Sequence, residues 1–348
     1  MVPVLDLSRR GPRYRDAFVA AADRILTSGS VLLGAELAAF EEEFAAFVGY
    51  DYCVGVSSGA TALQLALVAR GVGPGDEVLV PAHTAVPTAS AVFATGATPV
   101  LVDVDRVTGA LDPVAAATAV TERTKVVIPV HLYGRPCPLP IDLGLPILED
   151  AAQAHGALHA NDHSFATAYS FYPTKNLGGI GDGGAVVTND PDLAARLRRL
   201  RAHGMAAQYV HVDISQNFRM SELEAAWLRL LLPDLRQANA RRREAMAAYR
   251  TAAPHLRFHE DHPDHVYHLA VVRTNHRESF RAGLAEGGIA TGIHYPLSVT
   301  QQPAYQHLVR AACPEAESWA AECVSLPCFP EITDEEIVRV ADALTSTS

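Results

Sequence analysis

The chain has 348 residues, 49% of them hydrophobic, and a mean hydropathy of +0.09, which is enough apolar material for a large buried core. Its formal net charge is −11 and it has no basic tract, so a nucleic-acid surface has no electrostatic footing. No stretch reaches the ~18 to 20 apolar residues of a membrane span, and MVPVLDLSRRGPRY lacks a long apolar core with a small-residue cleavage site, so a soluble cytoplasmic protein is expected.

Helical patterns over Arg15 to Leu26 and Glu36 to Phe47 open the chain. Short β-prone runs then alternate with helical segments: Cys53 to Val56, Val78 to Val80, Val100 to Val104, Val126 to Val130, Ile147 to Leu148, Tyr169 to Phe171 and Ala185 to Val187. This alternation predicts an α/β fold with a mostly parallel sheet, and the consecutive apolar residues in several runs place helices on both of its faces. Asp190 caps a helix with Pro191 at its first position, and the Leu193, Leu197, Leu200 pattern stops at Gly204. Ser221 and Glu224 form a capping box for a helix through Trp227 and Leu230, Pro233 interrupts it, and an Arg-rich helix runs on through Tyr249. The pattern divides the chain into a large domain, 1–240, and a smaller α+β domain, 241–348, with a strand over His268 to Val272 and a last helix capped by Thr333 and Glu336. The five cysteines are odd in number and lack CxxC spacing, which favours buried thiols over a disulfide framework or a zinc ribbon.

Four segments carry candidate chemistry. In SFYPTKNLGGIGDGGAVVT, Lys175 stands between an apolar run and a glycine-rich turn, where burial would favour the neutral amine that condenses with an aldehyde. In EDAAQAHG, Asp150 ends an apolar strand, at the edge where α/β sheets bind ligands; it either pairs with a cationic ring nitrogen or caps a helix at Ala151. Gln153, three residues on, faces a similar side of a first helical turn. VGVSSGATALQLALVARG reads as strand, glycine turn and helix, a layout that aims NH groups at an anion or merely closes a βα connection. The spacing of His155, His159 and His163 suggests a metal site on a helix, but Gly156 and Asn161-Asp162 break the helix and no metal is expected.

These segments, with LLGAELAAFEEEFAAFVG, GPGDEVLVPAHT, IPVHLYG, NFRMSELEAAWL, GIHYPLSVTQQPAY and VSLPCFPE, resemble the DegT/DnrJ/EryC1/StrS family of pyridoxal-phosphate sugar aminotransferases over nearly the full length. The resemblance implies the fold of aspartate aminotransferase and pyridoxal 5'-phosphate as cofactor. It implies that Lys175 carries the cofactor as a Schiff base, Asp150 pairs with the pyridine nitrogen, Gln153 contacts the ring oxygen, and Ser170 with the NH groups of Gly59 and Ala60 holds the phosphate. Asn217 of a partner chain would complete the phosphate site of a homodimer. Ala85 stands where an aromatic residue commonly stacks on the ring, so His83 is the candidate replacement. Ala60 replaces a frequent threonine, the loop after HGA is shortened, and Thr300 and Gln301 stand where histidine and leucine are common.

The implied reaction moves nitrogen from glutamate to a nucleotide-linked ketosugar, with FYPTKNLGGIGDGG closer to relatives acting at sugar carbon 3, a dTDP-3-keto-6-deoxyhexose, than at carbon 4. His294 and Tyr295 either line the sugar end of the pocket or pack a small-domain loop, and Arg219 orients the Asn217 loop or binds the donor carboxylate. Alternatives are a 4-keto sugar or cyclitol acceptor, a sugar dehydratase, against which Lys175 argues, and a regulatory homologue without turnover.

Overall fold

Apolar runs punctuated by glycine, proline and aspartate become seven strands: β1 (Tyr52–Val56), β2 (Glu77–Pro81), β3 (Thr98–Val102), β4 (Thr124–Val127), β5 (Ile147–Asp150), β6 (Ser164–Ser170) and β7 (Gly184–Thr188). In the computed structural model, which describes residues 1–157 and 160–345, they form one sheet in the order β1-β7-β6-β5-β4-β2-β3. All neighbours pair in parallel except β7, which runs antiparallel to both β1 and β6. Each run predicted from sequence coincides with a strand, with ends displaced by up to a few residues.

Helices follow in chain order: α1 (Gly11–Ser28), α2 (Ala35–Val48), α3 (Gly59–Ala69), α4 (Val86–Phe93), α5 (Pro113–Ala119), α6 (Pro191–Leu200), α7 (Glu222–Leu231), α8 (Leu235–Ala252), α9 (Arg277–Glu286), α10 (Pro314–Glu322) and α11 (Asp334–Thr345). Side chains alternate across the sheet. Val54, Val56, Val78, Val80 and Leu148 pack with α3 and α6 on one face. On the other, Cys53, Ala185 and Val187 meet α2 and α7, while Leu79, Val127 and Ile147 meet α5. Both faces are covered, as the unbroken apolar runs require. No helix among the described residues is long and apolar enough to cross a membrane.

Residues 205–211 form a hairpin, β8 (Met205–Ala207) and β9 (Val210–His211), and β10 (Arg257–Phe258), β11 (Ala270–Arg273) and β12 (Cys323–Leu326) form a small antiparallel sheet. One face of that sheet packs with α9, α11, Met246 and Tyr249 of α8, and Val2 from the opposite end of the chain. Its other face joins the main core through Val271, Cys323 and Trp319. Residue 240 therefore lies inside the continuous helix α8, and the N-terminus pairs with the C-terminal unit by a parallel bridge from Val2 to Ile289. All five cysteines are buried and unpaired.

The helix ends bear out two predicted caps and correct a third. Asp190 accepts from the NH groups of Asp192 and Leu193, and Thr333 and Glu336 make both bonds of a capping box. α6 stops at Leu200, before Gly204. Ser221 accepts from the Glu224 NH at 3.1 Å, but the Glu224 carboxylate does not return to close the box and binds the Gly181 NH instead. Glu222, two residues earlier, reaches across to α2 and accepts from the NH groups of Gly34, Glu36 and Leu37. A buried carboxylate thus satisfies the orphan donors of another helix. Glu222→Ala should lower stability by roughly 1–3 kcal/mol, read as a reduced midpoint of urea unfolding at unchanged slope, and Glu222→Gln should lose about half as much.

Candidate functional site

The C-terminal edge of the parallel strands collects the chemistry-bearing residues. Asp150 ends β5, Ser170 ends β6, Ser58 follows β1, and the PAHT segment follows β2. That edge is where α/β sheets leave an open crevice. Here it widens into a cleft of about 670 Å³ lined by Lys175, His268, His294, Tyr295, Arg242 and the N-terminal Leu5, among others.

Lys175 leaves β6 through a turn, Tyr172 to Lys175, closed by a 2.8 Å bond from the Lys175 NH to the Tyr172 carbonyl, with Pro173 at the favoured second position. Asn176 anchors the next residue by donating to Asn239 Oδ1 at 2.8 Å and to the Val266 carbonyl at 2.9 Å. Burial lowers the Lys175 amine from its usual range to about 8, against the opposing attraction of Asp150. About a tenth of it is then neutral at pH 7.

Asp150 is buried and takes part in no ion pair among the described residues; Thr88 donates to Oδ2 at 2.8 Å and the Ala152 NH to Oδ1 at 3.1 Å. Burial holds its carboxyl above the ordinary range, offset by Ala152, Thr88 and Lys175. The two sequence alternatives meet here, since Asp150 caps a turn with one oxygen while the carboxylate still lacks a cation. No helix follows it: residues 151–157 form successive turns, and Gln153 is placed by its own bonds. Its Oε1 accepts from the Tyr133 NH at 2.8 Å, so its NH₂ faces the site as a donor, here to the Tyr295 hydroxyl at 2.9 Å. Tyr133 and Tyr295 both have left-handed backbones (φ 60° and 59°), and their rings are parallel within 9°.

Ser58 caps α3 and receives the Thr61 NH, leaving the first NH groups, at Gly59 and Ala60, without an intrahelical partner. Ser170 lies against them: a Cβ on Gly59 would stand 2.6 Å from the Ser170 Cβ. This close-walled cradle of two NH groups and a hydroxyl suits a phosphate.

The glycine-rich turn after Lys175 is shaped by Glu224. Its carboxylate enters the turn and accepts from the Gly181 NH at 3.0 Å, and a Cβ on Gly179 would fall 1.4 Å from Oε1. Burial pushes the Glu224 carboxyl up to about 7, partly offset by the NH groups of Gly181 and Ile180.

His83 corrects an expectation. It is 0% exposed; its ring packs on Trp319, with centroids 5.9 Å apart, and Nε2 bonds the Tyr133 hydroxyl at 2.9 Å. With both faces enclosed by protein, it has no open surface for a cofactor ring. Asn217 is exposed and accepts from Arg219 Nε at 2.8 Å, and neither residue is among the described lining of the Lys175 cleft. His294 binds Ser325 Oγ through Nδ1 at 2.8 Å, which leaves Nε2 for a ligand. His155 is buried against Tyr169 and Phe171, His163 is exposed, and His159 lies outside the described residues. Sequence reasoning missed Thr88, Tyr133, His268 and Glu224, although PAHTAVPT, four residues from Thr84 to Thr88, already contained the first.

The family model of the DegT/DnrJ/EryC1/StrS aminotransferases matches residues 12–345. The chain belongs to that family. It is 45% identical to a dTDP-3-amino-3,4,6-trideoxy-alpha-D-glucose transaminase of Streptomyces venezuelae, over 99% of this chain and 95% of that protein. It is 42% identical to a dTDP-3-amino-3,6-dideoxy-alpha-D-galactopyranose transaminase of Aneurinibacillus thermoaerophilus, over 99% of each chain. The crystal structure of S. venezuelae DesV, in complex with a ketimine intermediate, superposes with a TM-score of 0.93 at 44% identity, covering 99% of this chain and 97% of that one. As a DegT/DnrJ/EryC1/StrS member the protein is a pyridoxal-phosphate-dependent aminotransferase with the fold of aspartate aminotransferase.

A Glu224 carboxyl raised to about 7 in the fold and near 4.5 when unfolded makes folding take up a proton between those values, so stability falls as pH rises through that window. Glu224→Gln removes the proton uptake. Relative to the parent, its unfolding free energy should gain on the order of 1–3 kcal/mol between pH 5 and pH 8, read by urea unfolding across that range.

Proposed function

We propose that the enzyme transfers an amino group from glutamate to the 3-keto group of a dTDP-linked deoxyhexose, giving the 3-aminosugar. The observation that carries this is the half-buried Lys175, whose enclosed amine is partly neutral, together with a buried Asp150 that lacks a cation. Two relatives at 45% and 42% identity are both named as transaminases of dTDP-3-amino sugars, which supports carbon 3.

Residues at the C-terminal edge of the sheet suit the polar ends of pyridoxal phosphate. Ser170 and the NH groups of Gly59 and Ala60 would take the phosphate, Asp150 the ring nitrogen, and the Gln153 NH₂ the ring oxygen. Bound there, the cofactor supplies an electron sink at the carbon that loses or gains nitrogen. Thr88 and the Ala152 NH fix the Asp150 carboxylate, whose remaining lone pairs would accept from the ring nitrogen. Lys175 would hold the cofactor through Nζ and, once free, take and return the proton at the α-carbon of the donor and at the sugar carbon. His294 Nε2 and the Tyr295 hydroxyl stand at the cleft to receive sugar hydroxyls.

A homodimer fits the surface. Tyr209, Val210, Val212 and Ile214 on the β8–β9 arm are exposed apolar side chains leading to Asn217. Such a patch is the kind a second copy covers, and it would carry Asn217, oriented by Arg219, to the partner's phosphate cradle.

Purified protein supplied with pyridoxal phosphate should show a visible absorption band that shifts on adding glutamate and is absent in Lys175→Ala. Offered 3-keto and 4-keto dTDP-deoxyhexoses with glutamate, it should yield an aminosugar mass from the first at least tenfold faster. A faster product from the 4-keto sugar would reverse the carbon assignment. Asn217→Ala should bind cofactor about tenfold more weakly while remaining dimeric by sedimentation; unchanged cofactor affinity would remove Asn217 from the phosphate site.

A further inference from the structure

His268 stands in the segment entering β11 and is 7% exposed, with its ring in the wall of the Lys175 cleft. Its Nε2 lies 3.5 Å from Lys175 Nζ, and its buried Nδ1 has no hydrogen-bond partner among the described residues. Gly134, on the loop that carries Tyr133, packs on the His268 backbone, where a Cβ would stand 2.9 Å from the His268 nitrogen. The backbone that carries the ring is therefore closely packed, and of the two ring nitrogens Nε2 alone has a hydrogen-bond partner among the described residues, Lys175 Nζ.

The ionisable groups around the amine are Asp150, His155, His268 and His294, with Arg242 as a second cation near His268. Burial lowers all three histidines, and Lys175 lowers each further, so they stay neutral at neutral pH. A neutral imidazole can accept from an ammonium and donate to an amine by changing tautomer, which a lysine that alternates between the two forms requires.

We propose that His268 is the positioning residue of the Lys175 amine, holding Nζ in place in both protonation states while it is free to move a proton. This rests on the aminotransferase function proposed above. His268 does not touch the reacting carbon; the proton passes only between that carbon and Nζ, and the histidine keeps Nζ within reach of it.

The test uses His268→Phe, which fills the space without a polar atom, and His268→Gln, which restores an acceptor and a donor. In cofactor-free protein, the rate of arylation of the Lys175 amine by fluorodinitrobenzene, followed on its peptide by mass spectrometry, gives the titration midpoint, expected near 8 in the parent. An acceptor favours the ammonium, so His268→Phe should move that midpoint down by half a pH unit or more, and His268→Gln should stay near the parent. In the holoenzyme, His268→Phe should lower kcat for the glutamate half-reaction at least tenfold with KM changed less than twofold, and His268→Gln should recover part of it. A midpoint unmoved in His268→Phe, or a His268→Gln protein as slow as His268→Phe, overturns the assignment, provided both melt within a few degrees of the parent. Borohydride fixation of the cofactor on a peptide other than that of Lys175 would sink the functional proposal itself, and with it any catalytic role for His268. The arylation midpoint is read without cofactor, so the two failures are separable.

Discussion

Burying an amine without neutralising it by a salt bridge is the constraint from which the rest of the site follows. A lysine that must be partly neutral near pH 7 has to leave water, and the attraction of one carboxylate must fall short of the desolvation it opposes. Lys175 meets that condition because Asp150 acts on it at a distance, engaged instead by Thr88 and the Ala152 NH. The histidines around it, His155, His268 and His294, are kept uncharged by burial. A second carboxylate near Nζ would restore the ammonium; a charged histidine would expel it.

The adjacent acids of β5 show how the same backbone makes two different groups. Asp150 points to the cleft and its carboxyl is raised by burial. Glu149 points to the opposite face, and although burial also acts to raise it, hydrogen bonds from His131, Ser164 and Asn161 outweigh that and hold it near 2. His131 Nδ1 accepts from the Cys137 NH, which makes Nε2 the donor to Glu149 at 2.9 Å. One acid is thus a settled structural anion that pins β5 to its neighbours, and the other remains available for a cation. The start of α7 uses acids in a similar division: Glu222 satisfies the end of α2, while Glu224 fills the glycine turn beyond Lys175. Two residues apart, they tie the start of α7 to α2 on one side and to the glycine turn beyond Lys175 on the other.

Local patterns in the sequence exposed the strands and most helix starts, because an apolar run buried on both faces and an Asp-Pro cap are properties of a few consecutive residues. Asp150, Ser170 and Gly59 were singled out for a related reason: each stands at a strand or helix end that a few consecutive residues mark. What was hidden depends on contacts between distant parts of the chain. His268 is 93 residues from Lys175, and Thr88 is 62 from Asp150. The spacing of Ser221 and Glu224 satisfies a capping box, yet a buried glycine turn with unpaired NH groups competes for the same carboxylate and wins. Nothing local records that competitor. The N-terminal Val2 joining the C-terminal sheet is hidden in the same way.

The enclosure of His83 bears on how the ring would be held. Ala85 is the N-cap of α4 and supplies no side chain of any size, and His83 spends its ring on Trp319 and its Nε2 on Tyr133. The consequence runs through Tyr133. Its hydroxyl also donates to the His294 carbonyl, its NH fixes the Gln153 amide, and its ring lies parallel to Tyr295. His83 therefore acts from behind, as support for a tyrosine that holds both the Gln153 amide and the His294 backbone. An aromatic residue at position 85 would add a stacking face, but the polar contacts at Asp150, Gln153 and the α3 cradle do not depend on it. The bonds to Gln153, His83 and the His294 carbonyl all meet at Tyr133, whose backbone is held left-handed at φ 60°, so strain at that one residue sets the position of all three.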